Sequence, residues 1–296
     1  MSSVDEAFSK FRSRLETTAT EDSKASSRQK KIREQLKAST IEIETDFLTG
    51  SYVRHTKTKP LRDVDIMVVL GDEAYLDKHP SVVLEDVRAV LAPHYGEHRV
   101  QTDQRAVRVD FGITVVDDVA DGEVVSFDVV PALQDGEKYL IPDDQIGSWI
   151  ATNPKHHKTL ATEANKNYSD QWKPLVKMVK KWNDHAGSPV FPSFLLEVMA
   201  LEIITGDWTG NYPYELRMFF ATAADQIDRG WRDPACVGPN VSDALDNEPA
   251  AMSIARTALS DAEKTCTRAI GLARQGNNGA AIKAWRELFG PLFPAS

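Results

Sequence analysis

The chain has 296 residues, of which 42% are hydrophobic and 27% charged, so it can form one large or two modest folded domains. Its 44 acidic residues outnumber its 35 basic residues, and the net charge of −9 argues against nucleic acid or an anionic membrane as the default partner. The two cysteines, Cys236 and Cys266, lie far apart, which excludes a cysteine-rich zinc module and argues against a disulfide scaffold.

The first 145 residues are predicted to form a sheet domain with helices at its start. Phe8, Phe11 and Leu15 have helical spacing, and the polar run TTATEDSKASS after them is either a break or the exposed start of a second helix. Alternating or apolar patterns then predict strands, with one helix over residues 82–91; the strands are IEIETDFL, DVDIMVVL, AVRVDFGITVV and VVSFDVVPAL. Strands with few helices between them indicate an α+β domain.

From Ile146 onward the sequence becomes helical, so we predict a second domain over residues 146–296 after a first domain over residues 1–145. The segment WIATNPKHHKTL is predicted to be a connector that stops at its proline. Amphipathic or apolar patterns then predict helices in SDQWKPLVKMVKKWNDHAG, PSFLLEVMALEIITG, ELRMFFATAADQI, ALSDAEKTCTRAIGLARQG and AAIKAWRELFG. The last residues, GPLFPAS, are expected to be exposed.

Two aspartates stand at the entry of the apolar strand DVDIMVVL. The strand period of two places Asp63 and Asp65 on one face, where their charges repel unless a cation lies with them. Oxygen ligands favour Mg²⁺, or else Mn²⁺, and a third carboxylate would complete a site for two ions. Asp128 in VSFDVVPAL is the candidate, and Asp110 in VRVDFG is a competitor for which a solvent-facing role fits better. The structural alternative is that Asp63 and Asp65 are a loop acid and a strand-entry acid.

A Gly-Ser turn, Gly50–Ser51, precedes the two aspartates. Backbone amides at a turn that enters a helix can bind phosphate, and the Ser51 hydroxyl can add a donor. Phosphate donors beside metal-binding carboxylates suit phosphoryl transfer from a nucleoside triphosphate.

This order of Gly-Ser, DVD and FDVVPAL resembles the polymerase-β-like nucleotidyltransferases. The branch of oligoadenylate synthases, cyclic GMP–AMP synthase and DncV-like enzymes, many of them bacterial antiphage cyclases, is more similar still. The stretches that carry this closer resemblance are GSYVRHT, WIATNPKHH and WRDPACVGPNV. The resemblance implies an α+β nucleotidyltransferase domain followed by an all-helical domain that recognises nucleotides, with the active site in the cleft between them.

The resemblance also implies roles for the acids and the turn. Asp63 and Asp65 would bind two Mg²⁺ ions, with Mn²⁺ as an alternative, and Asp128 would bind one ion and help to activate the attacking hydroxyl. Gly50 and Ser51 would bind the triphosphate.

The helical half supplies three further residues through the same resemblance. Lys180 in VKKW and Ser193 in PSFLLEV would contact phosphate, and Phe194 would stack on a base, a contact that every nucleobase accepts. The structural alternatives are a solvated basic face for Lys180 and its neighbouring lysines, and core packing for Phe194.

The function that follows is the joining of nucleoside triphosphates into a cyclic di- or trinucleotide second messenger, with release of pyrophosphate, in antiphage signalling. The alternatives are a nucleotidyltransferase that modifies a tRNA end, a protein or a small molecule, and a non-catalytic nucleotide-binding scaffold. Expected partners are ATP or other nucleoside triphosphates and an effector that senses the product, with a regulatory protein left open. We expect a cytoplasmic protein that uses no membrane, because no segment reads as a membrane span or signal peptide. We also expect that it needs no nucleic-acid activator, because the sequence has no cysteine or histidine cluster for a zinc element and its net charge is −9.

Overall fold

The computed structural model describes residues 3–59, 61, 63–112, 125–185 and 189–295. The chain divides into two compact units. The sheet unit consists of Thr17–Lys158 and Ala235–Pro239, and the helical unit consists of Met1–Glu16, Thr159–Pro234 and Asn240–Ser296. Our predicted division lay at residue 146, whereas this division falls at Lys158, within a helix.

The helices and strands of the described residues are numbered here in chain order. The helices are α1 Val4–Leu15, α2 Ala19–Lys37, α3 Gly50–Arg54, α4 Pro80–Tyr95, α5 Pro154–Asn167, α6 Trp172–His185, α7 Ser193–Ile203, α8 Tyr212–Gln226, α9 Asp243–Asp246, α10 Pro249–Arg274 and α11 Asn278–Phe289. The strands are β1 Ile43–Thr49, β2 Asp63–Leu70, β3 Val100–Thr102, β4 Val107–Asp110, β5 Ser126–Asp135, β6 Lys138–Asp143 and β7 Ser148–Thr152.

The seven strands form one sheet in which β1, β2, β5, β4 and β3 lie side by side in that order. Strands β2 and β5 run parallel, and the other pairs are antiparallel. Strands β6 and β7 continue from the far end of β5. The α+β class expected from the sequence is confirmed. The second half of the predicted strand AVRVDFGITVV, which includes Ile113 and Val115, lies outside the described residues.

The two faces of β2 have different surroundings. The side chains of Val64, Ile66, Val68 and Leu70 are buried in a core that also contains residues of α2 and α4. The period of two therefore places Asp63 and Asp65 on the opposite face, in line with the buried Met67 and Val69. We call this opposite face of the sheet the acid face.

The polar run TTATEDSKASS begins in the short link between α1 and α2, and from Ala19 onward it forms the start of α2. Thr18 accepts a hydrogen bond from the Glu21 amide, and the Glu21 carboxylate accepts one from the Thr18 amide, which together form a capping box. The segment WIATNPKHHKTL, which we predicted to be a connector, instead has regular secondary structure. It contributes β7 and the start of α5. Pro154 is the first residue of α5, a position at which proline is well tolerated.

The helical unit has a single large core, and α1 belongs to it rather than to the sheet unit. Phe8 and Phe11 of α1 lie against the rings of Phe289 and Phe293. The expectation of an exposed tail was wrong, because Leu292 and Phe293 are buried in this core. The pattern of α1 shows that one of its faces is apolar, but it does not show which element covers that face.

None of the helices in the described parts of the chain combines the length and the apolar character that crossing a membrane requires.

Candidate active site

The predicted acids lie on neighbouring strands of the acid face. Asp65 on β2 pairs in register with Asp128 on β5, and on the other side of β2 it is opposite Thr49, the last residue of β1. Asp63 pairs in register with Ser126. Side chains at paired positions point to the same face of a sheet, so three carboxylates from two strands meet at one end of β2 and β5.

Arg108 on β4 provides positive charge beside these acids. Its backbone is in register with Asp128, and its Nη2 atom donates to Asp63 Oδ1 at 3.0 Å and to Ser126 Oγ at 3.1 Å. The Ser126 hydroxyl in turn donates to the same Asp63 Oδ1 at 2.7 Å. Neither residue was predicted from the sequence, because the register of β4 against β5 places Arg108 beside the acids and the register of β5 against β2 places Ser126 opposite Asp63.

The pKa of Asp128 is shifted by its surroundings. The pKa of its carboxyl is raised to about 7, mainly by burial and then by the negative charges of Asp63 and Asp65, while the charge of Arg108 opposes them. Carboxylates that repel in this way favour either a proton or a cation between them. This is the environment in which a divalent cation would be most strongly stabilised.

The donor set fits Mg²⁺ or Mn²⁺, which both prefer carboxylate oxygens. Among the described residues, however, no three acidic, histidine or cysteine side chains are already arranged to hold a metal ion. The fit therefore rests on the type and the register of the donors, and the carboxylates would have to reorient around an ion.

Asp110, the competitor for the third position, has its side chain in a local hydrogen bond. Its Oδ1 atom accepts a hydrogen bond of 2.6 Å from the Gly112 amide, two residues further along the chain. This contact satisfies a local turn, as expected for an Asp at the end of a strand.

The Gly-Ser turn lies directly beside the acids. Gly50 begins the short helix α3 with φ of +65°, and a β-carbon at this position would lie 1.6 Å from Asp65 Oδ2. Only glycine allows the backbone to approach the carboxylate this closely. Ser51 follows at a half-buried position, and its carbonyl accepts a hydrogen bond from the Thr56 amide, which closes the turn.

The loop after α3 is held by acids at the start of α2. Lys57 is buried, pairs with Asp22 at 2.6 Å and lies 3.5 Å above the ring of Tyr52. Lys59 is 4.0 Å from Glu21. Thr56 is also buried, and its hydroxyl has no hydrogen-bond partner among the described residues. The N-terminal end of α2 thus fixes the loop that connects the Gly-Ser turn to β2.

The residues predicted from the helical half lie in the helical unit. Lys180 on α6 is buried and forms an ion pair of 2.5 Å with the buried Glu197 on α7. Its neighbours Lys177 and Lys181 are also buried, so this stripe is not the solvated basic face considered as an alternative. The sequence analysis did not single out Glu197, although an acid inside the apolar run PSFLLEV could have signalled a buried partner.

Ser193 and Phe194 occupy the start of α7. Ser193 is exposed at the first position of the helix, whereas Phe194 is half-buried and packs against the core of the helical unit. Packing against the core and stacking on a base are compatible, because the side chain of Phe194 is only partly buried.

Comparisons with known proteins agree with this architecture. The model of the Second Messenger Oligonucleotide or Dinucleotide Synthetase domain matches residues 1–165. A relative from Acinetobacter sp., named cyclic AMP-AMP-AMP synthase, is 27% identical, and the alignment covers 99% of this chain and 86% of the relative.

Two solved structures share the fold along nearly the whole chain. The structure of the CdnC:HORMA-deltaN complex from E. coli MS115-1 is similar with a TM-score of 0.71 and 18% identity, covering 98% of each chain. CdnG from Bradyrhizobium diazoefficiens in complex with GTP is similar with a TM-score of 0.71 and 13% identity, covering 96% of this chain and 97% of that one.

Proposed function

Because this chain belongs to the Second Messenger Oligonucleotide or Dinucleotide Synthetase family, we propose that it joins nucleoside triphosphates into a cyclic di- or trinucleotide. The chain is a nucleotidyltransferase. Each new linkage forms between a ribose hydroxyl of one nucleotide and the α-phosphorus of another, and pyrophosphate leaves. The observation that carries the proposal is the register of Asp65 with Asp128, beside Asp63, on one face of the sheet.

The acids and the turn divide the work of the reaction. Asp63, Asp65 and Asp128 would hold two divalent cations, which would neutralise the triphosphate and make the attacking hydroxyl more acidic. Asp128, which lies in register with Asp65, would bind one ion and help to activate that hydroxyl. Gly50 and Ser51 would bind the phosphates with backbone amides and the Ser51 hydroxyl.

Residues of the helical unit would bind the rest of the nucleotide. Ser193 is exposed and can donate its hydroxyl to a phosphate, and Phe194 can stack on a base with the exposed part of its ring. Lys180 would contribute its charge to the triphosphate while Glu197 holds its ammonium group. We also propose the domain roles predicted from the sequence, with catalysis on the sheet unit and nucleotide recognition on the helical unit.

ATP is the first substrate to test, because the Acinetobacter relative is named for a product built from AMP alone. The product would act as a second messenger in antiphage signalling and would be sensed by a separate effector. A regulatory protein is a further candidate partner, since the E. coli structure with the same fold is a complex with a HORMA protein. We propose that the protein acts in the cytoplasm and needs no nucleic-acid activator.

The test is synthesis from purified components. The full chain is incubated with labelled ATP, GTP, CTP and UTP and with Mg²⁺ or Mn²⁺, and phosphatase then removes every label that is not in a protected linkage. We expect a phosphatase-resistant product from the wild type and none from the Asp63→Ala, Asp65→Ala double variant. The matched control is Asp135→Ala, which removes an exposed acid at the other end of β5 and should retain synthesis.

Three other results would each decide against part of the proposal in a defined way. A product in the double variant would remove the acids from the site. Label transferred only after a tRNA, a protein or a small molecule is added would favour the alternative of an acceptor-modifying nucleotidyltransferase. Nucleotide binding without any transfer in either assay would favour the non-catalytic scaffold.

A further inference from the structure

Asp63 receives hydrogen bonds from residues of two other strands. Arg108 Nη2 on β4 and Ser126 Oγ on β5 both donate to its Oδ1 atom, at 3.0 Å and 2.7 Å. Arg108 Nη2 also lies 3.1 Å from Ser126 Oγ. Among the described residues, the other carboxylate oxygen, Oδ2, accepts no hydrogen bond. Both donors therefore act on one oxygen of a carboxylate that we expect to be a metal ligand.

The register explains how this contact forms. Arg108 stands opposite Asp128, so the nearest acid along the ladder is Asp128 and not Asp63. Its guanidinium nevertheless extends beyond β5 to β2, where Ser126, the register partner of Asp63, supports the same oxygen. Three strands of the sheet thus contribute to the orientation of one side chain.

This ion pair contributes little to folding. The side chains of Arg108 and Asp63 are 44% and 48% exposed, and exposed pairs of this kind stabilise proteins only weakly because of solvent screening and lost side-chain entropy. Hydrogen bonds to the outer oxygen of a ligating carboxylate have another established effect, because they orient the ligand and tune its affinity for the metal. The charge of a guanidinium also reduces the repulsion between neighbouring carboxylates.

We propose that Arg108 and Ser126 are positioning residues that hold Asp63 by Oδ1, so that Oδ2 is presented to a divalent cation. This inference rests on the proposed function of the acids. Arg108 contacts neither substrate nor metal in this proposal. It acts through Asp63 and remains paired with it when the ion binds.

The opposite role is also chemically defined. If Arg108 instead occupied the place of the cation, it would have to leave before an ion could bind, and its removal would strengthen metal binding. The two roles predict opposite changes in affinity, so one measurement separates them.

The experiment measures Mn²⁺ binding to the full chain without nucleotide, by electron paramagnetic resonance of the free ion. The variants are Arg108→Gln, Arg108→Lys and Ser126→Ala, and the matched control is Lys138→Gln, which removes one positive charge from an exposed ion pair of the same unit. We expect Arg108→Gln and Ser126→Ala to weaken Mn²⁺ binding by about 10- to 100-fold. Arg108→Lys should recover part of this loss, and Lys138→Gln should change nothing.

A second readout separates positioning from a general defect. The Mg²⁺ concentration that gives half-maximal synthesis should rise in Arg108→Gln, while the rate at saturating Mg²⁺ should return towards that of the wild type. Unchanged or tighter Mn²⁺ binding in Arg108→Gln, with the thermal unfolding of the metal-free protein unchanged, would overturn the inference.

The inference and the proposed function can fail independently. If Mn²⁺ binding depends on Asp63 and Arg108 but no cyclic product forms, the positioning role stands and the proposed reaction does not. If product forms and Arg108→Gln binds Mn²⁺ as the wild type does, the reaction stands and the positioning role is wrong.

Discussion

Asp65 and Asp128 are register partners on the parallel strands β2 and β5, which places two carboxylates side by side on one face of the sheet. The arrangement concentrates negative charge, which adds to burial in raising the pKa of Asp128. Such a concentration stabilises nothing in the folded chain by itself, because like charges repel. It is explained if a cation is bound there during the reaction, and several measurements follow from this view.

Divalent cations should stabilise the wild type and should not stabilise variants that lack the acids. With an ion at about 100 times its dissociation constant, we expect a gain of about 2.7 kcal/mol in the free energy of unfolding. Asp65→Asn and Asp128→Asn should lose this gain, and without metal they should be at least as stable as the wild type because one repelling charge is gone. Thermal unfolding with and without Mg²⁺ checks both points, with Asp135→Asn as the control. An equal gain in all the variants would place the ion elsewhere.

Gly50→Ala should damage the site as well as the fold. A positive φ costs a residue with a β-carbon about 1–2 kcal/mol, and at Gly50 the new atom would also displace the Asp65 carboxylate. Gly136→Ala is the matched control, because Gly136 has φ of +63° in the same unit and no atom within 4 Å of an added β-carbon. We expect both variants to lose stability and only Gly50→Ala to lose synthesis. Retained synthesis in Gly50→Ala would show that the contact with Asp65 is dispensable.

The buried pair of Lys180 and Glu197 allows stability and function to be separated. Glu197→Gln removes the negative charge that pairs with the buried Lys180, so we expect a loss of about 3–5 kcal/mol in the free energy of unfolding. The double variant Lys180→Met, Glu197→Leu replaces both charges with apolar groups and should recover most of that stability. Chemical denaturation measures this, and synthesis by the double variant reports on Lys180. Full synthesis would mean that the lysine serves only the fold.

Helix α1 should be essential for the stability of the helical unit. Phe8 is 1% exposed and contacts the rings of Trp285 and Phe293, so Phe8→Ala removes a fully buried aromatic side chain. We expect a loss of about 3–5 kcal/mol. Met218→Ala in the same unit removes a side chain that is 49% exposed, and it should change the stability by less than about 0.5 kcal/mol. Similar unfolding curves for the two variants would contradict the packing of α1.

Asp143 should make the sheet unit sensitive to acid. Burial alone would raise its pKa, but hydrogen bonds from Gln104 and Arg105 and the charge of Arg105 outweigh burial and hold the pKa below its ordinary value. Because the folded pKa is lowered, the stabilisation is present above the unfolded pKa of about 4 and is lost as the pH falls through the folded value. The stability difference between the wild type and Asp143→Asn should therefore be largest near neutral pH and shrink below about pH 4. Denaturant unfolding across this range provides the test, and a difference that grows in acid would reverse the sign.

Much of this protein can be derived from its sequence. The period of two in DVDIMVVL places Asp63 and Asp65 on one face whatever the strand pairs with, and the helical spacing in WKPLVKMVKKW predicts the apolar face of α6. The order of Gly-Ser, DVD and FDVVPAL resembles that of the nucleotidyltransferases, and the family model that matches residues 1–165 confirms this resemblance. The positive φ of Gly50 also agrees with a glycine at the turn.

The tertiary structure decided what depends on pairing between distant segments. The register of β4 against β5 brings Arg108 to the acids, and the register of β5 against β2 brings Ser126 to Asp63. The packing of α6 on α7 joins Lys180 to Glu197. The burial of Leu292 and Phe293, with Phe293 against α1, likewise depends on the packing of distant segments. A local pattern fixes the face on which a side chain lies, since that follows from the backbone geometry of one segment. The partner across that face depends on which distant segment packs there, and the free energy of the whole fold determines that choice.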